Sequence, residues 1–279
     1  DERKSIEILY DALSMEKGRI EAAGKVLKTK QAFFIKGWIP DEHALEAKKL
    51  LESTYTVSVD IEKPAPDEAF PVLLKNRGIA EAGEPVSGMY SLPDSGEIDP
   101  NPIMSPFFIL FFGLMLGDGG YGIIMTLLMG FVLWRFKLPD NTRKFMKVLF
   151  FCGISTIFWG AMFGSWFGIA RLVPFALWFD MVSEPERVLT MAFLFGIIHM
   201  YFGFGMKAAN LIRKKKYLDA LMDVGFWLIF YTGAILFLLP YAPTMDAVKV
   251  APLVNLGKYL FVIGAVLLLF TSGRGNKNI

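Results

Sequence analysis

The chain has 279 residues, of which 54% are hydrophobic, with a mean hydropathy of +0.44 and a formal net charge of +2. That bulk hydrophobicity, concentrated after residue 100, argues against an ordinary soluble globule; the net charge says little in total and its distribution says more, and no nucleic acid partner is expected. A single cysteine, Cys152, excludes an internal disulfide and a cysteine-based metal cluster, and its apolar surroundings predict a small buried hydrophobe.

The first thirty residues carry a heptad stripe. Ile6, Leu13, Ile20 and Leu27 share one position, Leu9 and Ala23 its partner, and Glu16 interrupts it. A stripe of this kind needs a second helix. No later polar stretch supplies one, so the partner helix of a coiled coil is expected upstream. Residues 1–31 are therefore read as one half of a coiled-coil arm, and an amphipathic helix packed on its own domain is the alternative.

Residues 32–76 read as a small α+β lobe. Ala32 to Pro40 is a short β-like run ended by proline, Asp41 starts a helix through about Ser53, and Tyr55 to Ile61 alternates as a strand would. Lys63-Pro64-Ala65-Pro66-Asp67 is stiff and extended. Residues 77–102, rich in Pro, Gly, Ser and Asp, read as a linker in which 81–102 is loop.

The remainder is a polytopic α-helical membrane domain, so the fold class is mainly α. Six hydrophobic helices are predicted near 103–117, 121–137, 144–170, 187–212, 219–239 and 254–272, with a short polar tail over 273–279. Basic residues cluster in alternate loops: Arg135, Lys137, Arg143, Lys144 and Lys147, then Arg213 to Lys216, then Arg274 and Lys277. The opposite loops carry Arg171, Arg187 and Lys249 diluted by Asp180, Glu184, Glu186 and Asp246. Positive residues favour the inner side, which predicts an inward-facing lobe and tail.

Between the first two apolar runs lies Gly117-Asp118-Gly119-Gly120-Tyr121-Gly122. Asp118 is the only acidic residue between Pro102 and Leu138. A lone carboxylate costs about 2.5–3.5 kcal/mol at the bilayer centre, so it caps the second helix, sits at an interface or lines an ion path. The knot also matches G-x-G-x-x-G, but its apolar, membrane-length flanks rule out a dinucleotide site, which needs a βαβ unit. Gly18 to Lys25 fails as a P-loop in spacing and context. No cofactor is predicted, and ATP chemistry is assigned to other chains.

Gly160, Gly164 and Gly168 repeat every four residues, and Gly113 and Gly117 do the same. This spacing predicts close helix–helix packing. His199 lies mid-span, as a proton-path group or a histidine held between helices. Asp219 and Asp223 open the fifth helix, where acidic residues suit the dipole or could admit protons. Lys207 can extend to the interface, and His43 reads as surface. No acid–base pair and no nucleophile triad is evident.

Four stretches together resemble one family: FFIKGWIP (33–40), FGLMLGDGGYG (112–122), ISTIFWGAMFGSWFG (154–168) and FGIIHMYFGFGMKAANLIRKKKYLDALMD (195–223). Their order and spacing are similar to the large membrane subunit of V-type and archaeal A-type rotary ATPases, called subunit I in prokaryotes and subunit a in eukaryotes. The compact loops favour a bacterial or archaeal version. The resemblance implies a stator and membrane-channel subunit that is not itself catalytic. Its implied partners are the proteolipid ring, the peripheral stalks, the central-stalk adaptor of the ring, and membrane lipid. It also implies eight membrane helices, the last two carrying a ring-facing arginine that drives release of H⁺ or Na⁺. The sequence stops after the sixth, and Arg274 does not match that motif, so no essential arginine is transferred and two more helices are expected downstream. A stand-alone secondary transporter with a cytoplasmic regulatory lobe is the alternative, although no internal repeat supports it.

Overall fold

The computed structural model describes residues 2–29, 32–65, 68–169, 176–241 and 247–273. Arg171, Asp246, Arg274 and Lys277 of the predicted charge pattern lie outside them, as do the side chains of Ala23, Leu27 and Lys249. The chain divides into two compact units, Asp1–Leu73 and Leu74–Ile279.

In the first unit, helix α1 (Glu2–Lys25) is followed by strands β1 (Leu27–Lys28) and β2 (Phe33–Phe34), then helix α2 (Asp41–Thr54). The strands pair antiparallel, Leu27 opposite Phe34. Leu27 thus falls on a strand, not on the heptad helix. Along that helix Ile6, Leu9, Leu13 and Ile20 are all exposed, so the apolar stripe is uncovered within the described chain. The strand expected over Tyr55–Ile61 does not form. A strand needs a neighbour to pair with, and the two-residue hairpin offers none. The segment is instead held by side chains: Val59 N–H donates to Glu52 Oε1 at 3.2 Å. Farther on, Lys36 pairs with Glu68 at 3.1 Å, and Trp38 lies 6.0 Å from Phe70.

Among the described residues, the regular elements of the second unit are all helical. It comprises α3 (Gly78–Gly88), α4 (Asn101–Leu116), α5 (Gly119–Arg135), α6 (Asp140–Phe163), α7 (Pro185–Arg213), α8 (Tyr217–Ala220), a π turn (Leu221–Gly225), α9 (Phe226–Leu238), a 3₁₀ turn (Leu239–Tyr241) and α10 (Ala247–Thr271). Among the described residues, four segments are long and apolar enough to cross a membrane: Asp140–Phe163, Pro185–Arg213, the continuous run Tyr217–Tyr241, and Val250–Thr271. α4 and α5, at 16 and 17 residues, fall short of the roughly 20 that a perpendicular crossing needs.

Helix α3 corrects the expected loop. Glu81 and Glu84 point to Lys147 (3.0 Å) and Lys144 (2.6 Å) on α6, while Ala82 and Val86 join Val148 and Cys152 in one core. Cys152 is fully buried, as its apolar run predicts. Asn76 Nδ2 donates to both Glu84 and Asp99, and Asp99 in turn accepts from the backbone and side-chain amides of Asn101. These polar links close the helix onto the start of α4.

Helix contacts are made where glycine faces a hydroxyl or another backbone. Gly83 meets Ser105, Gly113 meets Ser155, and Gly153 meets Thr126, joining α3 to α4, α4 to α6 and α6 to α5. α9 and α10 pair through Gly233, Gly257 and Gly264; a Cβ at Gly257 would lie 2.6 Å from Phe237 N. Helix backbones that approach this closely gain packing that lipid cannot supply. α7 stands between the two groups. Phe107 and Trp159 reach it on one side, and Tyr201 Oη lies 2.6 Å from Thr232 Oγ1 of α9 on the other.

Candidate functional site: a carboxylate that ties two helix ends

Asp118 occupies the N-cap of α5, 6% exposed, in an extended conformation (φ −126°, ψ 112°) that points its side chain back over the first turn. Oδ1 accepts from Gly120 N–H at 2.9 Å and Tyr121 N–H at 3.2 Å, which satisfies two of the free amides every helix start leaves.

The same carboxylate reaches about fifty residues along the chain. Oδ1 also accepts from Phe167 N–H at 2.9 Å, and Oδ2 accepts from Gly168 N–H at 2.9 Å and Ser165 Oγ–H at 3.2 Å. Gly119 N–H donates to Ser165 O at 2.9 Å. The loop after α6 thus presents two successive amides to one anion, an arrangement that concentrates positive potential. Phe167 adopts φ +55°, unusual for a residue with a side chain. The two charge-assisted bonds at Phe167 and Gly168 hold that conformation in place. The Tyr121 ring lies edge-on to Phe167, 5.6 Å between centroids.

The glycines of the expected stripes divide by role. Gly113 and Gly160 sit inside helices against a neighbour's backbone, Gly160 directly against Gly119. Gly117 (φ +53°) and Gly164 (φ +69°) are left-handed C-caps of α4 and α6, each donating its N–H to the glycine four residues earlier. Gly168 is left-handed and its Cβ position is open. The four-residue repeat over 160–168 is therefore not a continuous packing face, because α6 stops at Phe163 rather than running to residue 170. A Gly-xxx-Gly spacing also fits one packing contact followed by one helix terminator.

The structure gathers Asp118, Tyr121, Gly113, Gly117, Gly160, Gly164 and Gly168 into one place. His199 is elsewhere, its ring 4.7 Å from Phe107 and 5.4 Å from Phe111 of α4. Asp219 in α8 and Asp223 in the π turn are half-buried in a third location. The π turn, which contains Asp223, interrupts the regular α-helical hydrogen bonding within the Tyr217–Tyr241 run, a feature common at functional sites. His43 is on α2, 4.0 Å from Glu46. No group of three or more His, Cys, Asp or Glu that could hold a metal occurs among the described residues. Sequence reasoning overlooked Ser165, Phe167 and the amide of Gly168. Their only local signal was the short Ser-Trp-Phe-Gly run after an apolar helix.

With both carboxylate oxygens engaged by four N–H groups and a hydroxyl, Asp118 is arranged to fix geometry. The four membrane-length segments and the helical packing define the class: an α-helical membrane protein.

No protein-family model matches the chain. Individual relatives do. It is 34% identical over 245 residues to the A-type ATP synthase subunit I of Methanothermobacter thermautotrophicus, covering 83% of this chain and 36% of that protein. It is 27% identical over 260 residues to the A-type ATP synthase subunit I of Methanocaldococcus jannaschii, covering 81% and 37%. It is 25% identical over 211 residues to the V-type ATP synthase subunit I of Borreliella burgdorferi, covering 72% and 34%. The chain is a homologue of subunit I of the A-type and V-type ATP synthases, and it spans a little over a third of the length of these relatives.

Proposed function

We propose that this chain is part of the stator-side membrane subunit of an A/V-type rotary ATPase. In this reading the first unit belongs to an arm that meets the peripheral stalks. The helices of the second unit anchor that arm in the membrane beside the proteolipid ring and its central-stalk adaptor. ATP is made or hydrolysed on other chains, and the ion, H⁺ or Na⁺, crosses at the ring boundary. The carrying observation is the similarity to subunit I proteins over most of the chain. The uncovered heptad stripe of α1 supports an arm that pairs with another helix.

The charge pattern supports an inward-facing first unit, because the α5–α6 and α7–α8 basic loops lie at one end of the bundle. Lys144 and Lys147 of α6 and Lys214 after α7 all pair with the 81–97 segment.

Affinity purification of the full-length protein from membranes should bring down proteolipid and stalk subunits together. A preparation free of proteolipid would overturn the assignment. Labelling of a cysteine placed in the Arg213–Lys216 loop should require a permeant reagent in intact cells; labelling by an impermeant one would reverse the orientation.

A further inference from the structure

The α4–α7 boundary carries a groove that neither helix fills. It has a volume of about 270 Å³ and is walled by Met104, Phe108, Phe111, Phe112, Met115 and His199. Met104 to Met115 is eleven residue steps, about 16 Å along a helix axis, close to the depth of one leaflet of a ~30 Å hydrocarbon core. The wall is almost wholly apolar, which suits a hydrocarbon chain better than water.

One end of the groove is marked by charge. α4 and α7 run antiparallel: Phe107 meets Phe202 and His199, Phe111 meets His199, and Ile98 N–H donates to Asn210 Oδ1 at 2.8 Å. By that register Lys207 stands level with the Met104 end, two turns from His199. Arg213 closes the same helix. Both are exposed, and among the described residues neither takes part in an ion pair, whereas Lys214 beside them is held by Glu97 at 2.7 Å. An apolar slot one leaflet deep, with two uncommitted cations on α7 beyond its Met104 end, matches a tail and a headgroup on one molecule.

We propose that the α4–α7 groove holds one acyl chain of an anionic glycerophospholipid whose phosphate is received by Lys207 and Arg213. The inference rests only on the membrane-spanning reading and is independent of the rotary-ATPase assignment. A helix of another chain covering the groove is the competing occupant and is decided by the same test.

The full chain is reconstituted in bilayers of equal phosphatidylglycerol and phosphatidylcholine, released, and its retained lipid identified by native mass spectrometry. The wild type should retain phosphatidylglycerol in clear excess. Lys207→Gln and Arg213→Gln should each lower that excess by up to about fivefold. Arg135→Gln with Lys137→Gln, on the other basic loop, should leave it unchanged. Met115→Trp, at an exposed position that narrows the far end of the groove, should reduce total retained lipid without altering the preference. Equal retention of the two lipids by the wild type would overturn the proposal. So would equal losses from the α7 substitutions and from Arg135→Gln with Lys137→Gln, or photocrosslinks from position 108 to protein alone. Co-purification of ring subunits alongside a failed lipid test would sink this site and leave the family assignment standing.

Discussion

Replacing Asp118 separates a structural carboxylate from an ion-conducting one. Asp118→Ala removes all five hydrogen bonds to the side chain and strands the amides of Gly120, Tyr121, Phe167 and Gly168. Loss of an N-cap costs about 0.5–2 kcal/mol, and each buried donor left without a partner about 1–3 kcal/mol. Relaxation and water entry reduce the sum, so roughly 3–5 kcal/mol is expected, the range for breaking a buried, hydrogen-bonded charge.

Asp118→Asn is the finer probe. Its carbonyl oxygen can keep the Gly120, Tyr121 and Phe167 donors, but its amide then faces the Gly168 N–H, donor against donor. Ser165 can rotate its hydroxyl to accept instead. A loss of about 1–3 kcal/mol follows, confined to the loop after α6. Thermal unfolding of the protein in nanodiscs gives the ranking, wild type above Asn above Ala. Hydrogen exchange at Phe167 and Gly168 gives the location, with faster exchange in both variants. If the Asn variant matches the wild type in stability and loop protection, yet the assembled complex loses ion flux, the lock is wrong and a titrating role for Asp118 takes its place.

Gly160→Val should destabilise by about 2–4 kcal/mol, because its side chain would enter the backbone at Asp118 and Gly119; Gly168→Ala should cost far less, about 1 kcal/mol, from its left-handed φ alone. Melting temperatures of the two variants check the order. Exchanging the partners in Glu84→Lys with Lys144→Glu should recover a large part of the roughly 1–3 kcal/mol lost in either single change, as a double-mutant cycle would measure. Hydrogen bonding from Lys214 holds the Glu97 carboxyl below its ordinary value. A depressed folded value means the pair contributes fully above the unfolded carboxylate pKa, and the contribution is lost as pH falls through the lower, folded one. The amide of Ile98 should therefore lose protection below about pH 4, by no more than the ~1 kcal/mol of a part-exposed pair, and Glu97→Gln should remove that pH dependence.

The sequence alone determined the elements whose cause is local. Apolar runs bounded by proline and glycine marked the spans, and an aspartate before a glycine-rich helix start marked a cap. The cluster at Arg213–Lys216 ended α7. The heptad positions of α1 also stood out, since periodicity needs no knowledge of the partner.

Only the tertiary structure decided what depends on a distant neighbour. Asp118 finds three of its five partners about fifty residues away, and nothing in Ser165 to Gly168 announces a carboxylate's arrival. A glycine at four-residue spacing reads alike whether it packs a helix, as Gly160 does, or ends one, as Gly164 does, because both need a missing side chain for different reasons. Helix α3 looked like loop because its Gly83 and Pro85 weaken it locally, and its contacts with α4 and α6 outweigh that weakness. Tyr55 to Ile61 alternates as a strand does, yet a strand exists only when another completes its ladder of hydrogen bonds. In a membrane protein the ambiguity is wider still, since an apolar face suits lipid and protein equally. The close backbone contacts at Gly233, Gly257 and Gly264 tell which one α9 and α10 chose.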